Sequence, residues 1–251
     1  MDSLLFLGTG TSTGVPAIGC RCATCSSLDP LDKRMRASAI LSIGGKNILI
    51  DCGPDLRTQL LRAGSPPLDA LLVTHIHYDH VAGIDDLRPY CYQRPMPVYC
   101  RADVADGLRR IVPYSFAEHP YPGVPTFDLH VIDPGRPFHI GDIEVVPLPV
   151  MHFELPILGY RIGSFAYITD CKTMPDSTFD LLRGVDTLVI NGLRFEPHMS
   201  HLSVPEAIEI IRALGPRRAF LTHMSHDLGP AATVTLPPGI QLAHDFLKIP
   251  L

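Results

Sequence analysis

Thr74-His75-Ile76-His77-Tyr78-Asp79-His80 sets three imidazoles and a carboxylate within six consecutive positions. The apolar run Ala70-Leu71-Leu72-Val73 leads into it, so residues 70–74 read as a strand that delivers the chain to His75. In extended backbone, residues i and i+2 share a face, which points His75 and His77 at one site. A loop or helix start after His77 would turn Asp79 and His80 toward a neighbouring one. Imidazole and carboxylate suit zinc and similar divalent ions, and carboxylate oxygen also accepts manganese. Without a metal, four such side chains this close would repel one another or each demand a partner. The competing reading is a polar loop whose histidines are coincidental.

A pair of metals needs more ligands than one segment supplies. Three further strand-like runs lead to residues of the right type: 143–148 to His152, 165–169 to Asp170, and 219–222 to His223. A carboxylate such as Asp170 can bridge two cations. Ligands at the ends of separate strands converge on one edge of a layered α/β fold. The rest of the chain alternates in the same way. Residues 4–7 read as a strand, and residues 39–43 and 47–51 form a hairpin about Gly44-Gly45. Residues 56–63 have helical periodicity stopped by Gly64, while 98–100 and 187–191 are strands. Ser203-Val204-Pro205-Glu206 is a capping box that opens a helix to about residue 213.

Composition bounds the possibilities. A chain of 251 residues with this alternation is expected to form one domain, residues 1–251. With 46% hydrophobic and 19% charged residues it can build a large core, which excludes disordered and fibrous classes. A net charge of −5 argues against a nucleic-acid partner but leaves room for a local phosphate pocket. No basic segment precedes the short apolar run at residues 4–7, and no run approaches the ~18 apolar residues of a membrane span. The expected location is the cytoplasm, with no membrane partner; a homodimer is left open. Of seven cysteines, Cys20, Cys22 and Cys25 crowd together, which in such a chain favours metal binding over disulfides. Three thiolates lack the fourth ligand that structural zinc takes, so a distant residue must complete the set. The alternative is a group of buried or redox-active thiols. Cys52, Cys91, Cys100 and Cys171 have no such spacing and read as core thiols.

Together, Gly8-Thr9-Gly10-Thr11-Ser12-Thr13-Gly14-Val15-Pro16 and the His75 to His80 motif resemble the metallo-β-lactamase superfamily. The segment Gly19-Cys20-Arg21-Cys22-Ala23-Thr24-Cys25 and the ending Leu221-Thr222-His223-Met224-Ser225-His226 narrow the resemblance. They are similar to the phosphoribosyl 1,2-cyclic phosphate phosphodiesterase (PhnP-like) family. The resemblance implies a four-layer αββα sandwich with two metals at one sheet edge. It implies that His75, His77 and His152 hold one metal, that Asp79, His80 and His223 hold the other, and that Asp170 bridges them. It also implies His226 as fourth ligand of a structural zinc with Cys20, Cys22 and Cys25. The expected cofactors are therefore two catalytic divalent metals, Zn or Mn, and one structural Zn.

His201 lies just before the capping box, near a helix N-terminus that favours anions. In the family resembled, a histidine at this position lies near the scissile phosphate. His201 and Asp79 are the candidate catalytic residues, with His198 a less favoured neighbour and a solvent-facing loop histidine the plain alternative. Gly8 to Gly14 is not a phosphate-binding P-loop, since it lacks the Gly-Lys-Ser/Thr ending. Asp85-Asp86-Leu87-Arg88-Pro89 could place Arg88 near a substrate phosphate, with a surface salt bridge as the alternative. The expected activity is hydrolysis of a small phosphodiester, such as 5-phosphoribosyl 1,2-cyclic phosphate, to ribose 1,5-bisphosphate. The alternatives are a tRNase Z-like RNA phosphodiesterase, or a non-hydrolytic binding protein like the pyrroloquinoline quinone biosynthesis protein PqqB. The intact ligand set argues against the second.

Overall fold

Fourteen strands in the computed structural model, which describes residues 2–119 and 121–251, pair into two seven-stranded sheets. The first sheet takes β1 (Ser3–Gly8), β2 (Ser38–Ile43), β3 (Lys46–Ile50), β4 (Ala70–Leu72), β5 (Met96–Cys100) and β6 (Phe127–Val131) in sequence order. The second takes β7 (Phe138–Ile140), β8 (Ile143–His152), β9 (Leu155–Ile162), β10 (Phe165–Tyr167), β11 (Thr187–Asn191), β12 (Arg218–Thr222) and β13 (Ile240–Leu242). The chain then returns to the first sheet, where β14 (Lys248–Pro250) pairs with β1.

Period-two burial makes the layers. In β1, Leu4 and Phe6 face the other sheet, where they meet Leu158, Tyr160, Tyr167 and Phe220, whereas Leu7 packs outward. The outward face of the first sheet is covered by α2 (Leu56–Arg62), α3 (Tyr78–Val81) and α4 (Ala102–Ile111), through Leu56, Leu60, Val81, Val104 and Leu108. The outward face of the second is covered by α5 (Asp176–Leu182) and α6 (Val204–Leu214), through Leu182, Val204, Ala207 and Ile211. The result is the expected αββα sandwich. A four-residue helix, α1 (Ala23–Ser26), sits on the cysteine segment. The capping box of α6 forms as read, with Ser203 and Glu206 satisfying each other's backbone N–H groups and Gly215 closing the helix at φ 64°.

Strand ends differ from the sequence expectation in an instructive way. β8 does not stop at residue 148 but runs through Pro147 and Pro149 to His152. Both prolines share one register parity, opposite Tyr160 and Leu158 of β9. Their missing N–H groups therefore face the side where β7, paired only with residues 143–145 of β8, has already ended. Residues 4–7 and 187–191 are strands as expected, while β4 and β10 end earlier, at Leu72 and Tyr167, releasing Val73-Thr74 and Ile168-Thr169 as short extended arms. These arms stay anchored: Tyr160 donates its hydroxyl to the Val73 carbonyl at 2.6 Å, and Leu158 N–H reaches the Thr74 carbonyl at 3.1 Å. Those contacts join the two sheets at the edge where the histidines emerge. Among the described residues, no helix is long and apolar enough to cross a membrane.

Candidate metal centre

Topology explains the convergence. β3 and β4 run parallel in the first sheet, and β10, β11 and β12 run parallel in the second. β8 is antiparallel to β9, which is antiparallel to β10, so β8 ends on the same edge as β10. His75 and His77 follow β4, His152 closes β8, Asp170 follows β10 and His223 follows β12. His75, His77 and His152 gather ring against ring at that edge, while Asp170 and His223 belong to a tighter group of ligand atoms that does not include His75 or His77. The His75 ring centroid lies 4.5 Å from that of His77 and 5.8 Å from that of His152, and the His77 and His152 centroids are 5.1 Å apart.

Asp170 stands at the centre. Its Oδ1 is 3.2 Å from His223 Nε2 and 3.0 Å from His201 Nε2, and its Oδ2 is 3.2 Å from His80 Nε2. Asp79 Oδ2 lies 3.3 Å from the same His80 nitrogen and 3.5 Å from His223 Nε2. Asp79, His80, Asp170 and His223 can each bring one ligand atom within 4.8 Å of the others, as can His152, Asp170 and His201. His201 therefore lies against the central carboxylate, closer than a position beside the substrate alone requires. His198 stands behind it, with the two Nδ1 atoms 3.2 Å apart and the Ser200 hydroxyl between them.

Asp51 was not singled out from sequence. It follows β3, is fully buried, and accepts three hydrogen bonds: from Thr74 N–H at 2.8 Å, the Thr74 hydroxyl at 2.8 Å and His80 Nδ1–H at 2.7 Å. The signal was present, because Ile48-Leu49-Ile50-Asp51 has the same form as Tyr167-Ile168-Thr169-Asp170: an apolar run ending in an acid. The network also assigns tautomers. The Thr74 hydroxyl is committed to Asp51 and so accepts from His75 Nδ1–H at 3.0 Å, while the Ser200 carbonyl, which can only accept, takes His152 Nδ1–H at 2.8 Å. His75, His80 and His152 thus all turn Nε2 toward the cluster, and the Nε2 atoms of His75 and His80 are buried without a hydrogen-bond partner.

The backbone holds this arrangement under strain. Asp51, Asp170 and His223 adopt left-handed φ values of 58°, 53° and 55°, a conformation that costs a non-glycine residue ~1–2 kcal/mol. Close packing fixes α3 beside them, since a Cβ at Gly53 would collide with the Asp79 carbonyl and one at Gly83 with the Gly53 carbonyl. Electrostatics follow. Burial opposes a charge on His80, but Asp170 and Asp51 outweigh it and hold the imidazole well above its usual range. Burial would raise Asp170, yet His223 and His80 hold it well below the carboxylate range. Burial, aided by His80, pushes His75 well down, and burial also lowers His201 against the pull of Asp170.

A second cluster lies at the foot of the site. Cys20, Cys22, Cys25 and His226 bring their ligand atoms within 4.8 Å of one another, with His226 Nδ1 3.8 Å from Cys20 Sγ and 3.5 Å from Cys22 Sγ. The Cys25 N–H lowers the Cys22 thiol to about 6, whereas burial raises that of Cys25 to about 11. The Gly8 to Gly14 loop is zipped to this region by Met224 N–H on the Thr9 carbonyl at 2.9 Å and Thr11 N–H on the Met224 carbonyl at 3.0 Å. Cys52, Cys91, Cys100 and Cys171 are buried, as read. Arg88 pairs with Asp85 at 2.9 Å and donates to the Gly123 carbonyl at 2.7 Å.

Comparison with known proteins agrees with this architecture. The chain is 45% identical over 248 residues to an octanoyltransferase of Porphyromonas gingivalis, covering 97% of this chain and 50% of that protein. It thus spans about half the length of that relative. It is 25% identical over 260 residues to ribonuclease Z of Mycobacterium sp. (strain KMS), covering 88% of this chain and 91% of that protein. Among solved structures, a diphosphatase from the PhnP family superposes with a TM-score of 0.92 at 38% identity, over 100% of this chain and 98% of that one. The beta-lactamase superfamily domain matches residues 46–224, from β3 through the residue after His223. The chain belongs to the beta-lactamase superfamily and, within it, to the PhnP family.

Proposed function

We propose that the protein, as one domain over residues 1–251, is a metal-dependent phosphodiesterase with two divalent cations, Zn or Mn, at the Asp170 centre. The observation that carries this reading is two buried Nε2 atoms without a hydrogen-bond partner, that of His75 and that of His80, the latter 3.2 Å from Asp170 Oδ2 and 3.3 Å from Asp79 Oδ2. Buried polar groups without partners are rare in folded proteins, and a cation supplies the missing one. The donor set of imidazole and carboxylate fits zinc or manganese. His75, His77 and His152 would hold one cation, Asp79, His80 and His223 the other, and Asp170 both. Cys20, Cys22, Cys25 and His226 would hold a structural zinc.

Bound there, such cations supply Lewis acidity and lower the pKa of a water molecule toward neutrality. The chain's own groups do the rest. Asp51 and Thr74 lock the tautomers of His80 and His75, and the Ser200 carbonyl locks that of His152. Oxygen from water adds to phosphorus, the bond to the leaving oxygen breaks, and that oxygen must acquire a proton. His201, with Nε2 3.0 Å from Asp170 Oδ1, is the imidazole we assign to protonate that oxygen or to stabilise its charge. The substrate we favour is a small cyclic phosphodiester such as 5-phosphoribosyl 1,2-cyclic phosphate, opened to ribose 1,5-bisphosphate. Precursor-tRNA cleavage has a named relative behind it, but the net charge of −5 opposes a polyanion-binding surface. Octanoyl transfer is not proposed, since that name belongs to a protein twice this length.

The test is a panel presented to metal-reconstituted protein and followed by ³¹P NMR: the ribose cyclic phosphate, linear diesters, a nucleoside diphosphate and precursor tRNA. The expected result is conversion of the cyclic diester to a monoester with the tRNA left intact. Cleavage of the tRNA alone would establish the ribonuclease reading instead.

A further inference from the structure

A cavity of about 220 Å³ opens beside the end of the Gly8 to Gly14 loop, and none of the residues assigned to a metal lines it. Four cations do, Lys33, Arg34, Arg36 and Arg62, against two carboxylates, Asp55 and Asp245. Arg36 and Asp55 neutralise each other, with Nη1 3.2 Å from Oδ1. Asp245 makes no such pair; its oxygens accept from the Thr9 hydroxyl at 2.8 Å and from Met35 N–H at 2.7 Å. The three remaining cations rest on neutral groups. Lys33 donates to the Cys25 carbonyl at 3.2 Å, and the Arg62 guanidinium lies 4.0 Å from the centre of the Phe246 ring. The cavity therefore holds a surplus of two positive charges.

Arg34 is the most telling of the four, because it is only 5% exposed. A buried arginine is almost always paired with a carboxylate, since an unpaired charge out of water is costly. Here both side-chain hydrogen bonds leave from Nη1 and end on neutral oxygens, the Thr9 hydroxyl at 2.8 Å and the Ala243 carbonyl at 2.7 Å. Among the described residues, Nε and Nη2 find no acceptor and no carboxylate pairs with this guanidinium. Neither nitrogen is sealed in the protein, so both keep a path to open space, and Arg34 lines the cavity. Burial pulls the group's pKa below its usual value, and the fields of Asp245 and Asp32 offset only part of that. A guanidinium with Nε and Nη2 both free presents the edge that grips two oxygens of one anion. A phosphomonoester carries about −1.5 to −2 at neutral pH, which matches the surplus of two; a single carboxylate does not. The cavity also shares a wall with the metal centre. The Thr9 carbonyl takes the N–H of Met224, next to His223, at 2.9 Å, and a Cβ at Gly53 would lie 2.0 Å from the Asp79 carbonyl and 3.4 Å from Arg36 Cβ.

We propose that Lys33, Arg34 and Arg62 form a second anion site, for a terminal phosphate group that is not the one cleaved. Such a group has two sources, a remote phosphate on the substrate or free inorganic phosphate; only the first rests on the phosphodiesterase reading above. The experiment titrates inorganic phosphate by calorimetry into metal-loaded wild type and into a Lys33→Gln, Arg62→Gln double variant. Wild type should bind two equivalents, one of them at the metal centre. The double variant should bind the other about tenfold more weakly, with Tm and metal content unchanged, since neither side chain is buried. Arg34→Lys, which keeps the charge and loses the flat fork, should weaken the same equivalent. Kinetics then separate the sources by comparing 5-phosphoribosyl 1,2-cyclic phosphate with ribose 1,2-cyclic phosphate. A KM raised about tenfold in the double variant for the first substrate alone assigns the site to the substrate's own phosphate. An unchanged KM for both, with the second equivalent weakened, assigns it to free phosphate. A wild type that binds a single equivalent, or a second equivalent as tight in the double variant as in wild type, overturns the inference. Binding is read without turnover, so loss of the phosphodiesterase reading and loss of this site are told apart.

Discussion

Replacing Asp51 with asparagine should loosen the metal centre while leaving the protein folded. The carboxylate satisfies three buried donors, one on Oδ1 and two on Oδ2. Asparagine is isosteric and tolerates the left-handed φ of 58°, so backbone strain does not confuse the outcome. If its amide oxygen takes the Oδ2 place, it keeps the Thr74 hydroxyl and His80 Nδ1–H, but its NH2 then faces the Thr74 N–H. One opposed pair of buried donors costs ~1–3 kcal/mol, which for a chain of this size lowers Tm by about 2–4 °C per kcal/mol. The charge that stiffens and polarises His80 is lost as well, and such outer partners of metal-binding histidines are worth ~10–100-fold in metal affinity. The assay strips the protein of metal and titrates Mn or Zn back against a chromogenic chelator, with thermal melts in parallel. Wild-type affinity in a folded Asp51→Asn variant would refute the reasoning that this residue orients His80.

Three other outcomes are expected. Elemental analysis should find three metals per chain, and mild chelation should leave one zinc in place at Cys20, Cys22, Cys25 and His226; a folded protein that retains none would remove that assignment. His201→Ala should lower kcat by ~10²–10⁴ on a ribose cyclic phosphate with metal content unchanged, and by less on an aryl diester whose nitrophenolate needs no proton. Equal large losses on the two would indicate charge stabilisation instead. Burial pushes the Asp245 carboxyl up to about 6, against hydrogen bonds from Met35 N–H and the Thr9 hydroxyl. The folded state then binds the proton more tightly than the unfolded chain, so this group's stabilisation is complete below pH ~4 and is lost as pH rises through about 6, roughly 3 kcal/mol in all. Urea unfolding at pH 4.5 and 7.5 should show wild type losing stability relative to Asp245→Asn as pH rises; a gap independent of pH would mean Asp245 does not titrate there.

Much of this centre was legible before folding because its chemistry is concentrated. The spacing from His75 to His80 needs no tertiary information, and His152, Asp170 and His223 each close an apolar run. The capping box at Ser203 is local, and it formed as written. What the sequence hid depends on neighbours. Asp51 matters because β3 lies beside β4, a pairing that no spacing within either segment encodes. The extension of β8 through two prolines depends on β7 being too short to need their N–H groups. The left-handed φ of 54° at Phe153 comes from the two-residue turn between β8 and β9, which depends on how those strands pair. The contact of His201 with Asp170 likewise arises from a loop folding back across 31 positions.

The central claim is most directly tested by adding Mn in steps to metal-stripped protein that still retains its cysteine-bound zinc, while following phosphodiester cleavage and bound metal together. Turnover should be absent at the start, rise as two further equivalents bind, and vanish in Asp170→Ala, whose single carboxylate is expected to serve both cations. Full turnover without added metal, or near-native turnover in an Asp170→Ala protein still holding both equivalents, would contradict the account.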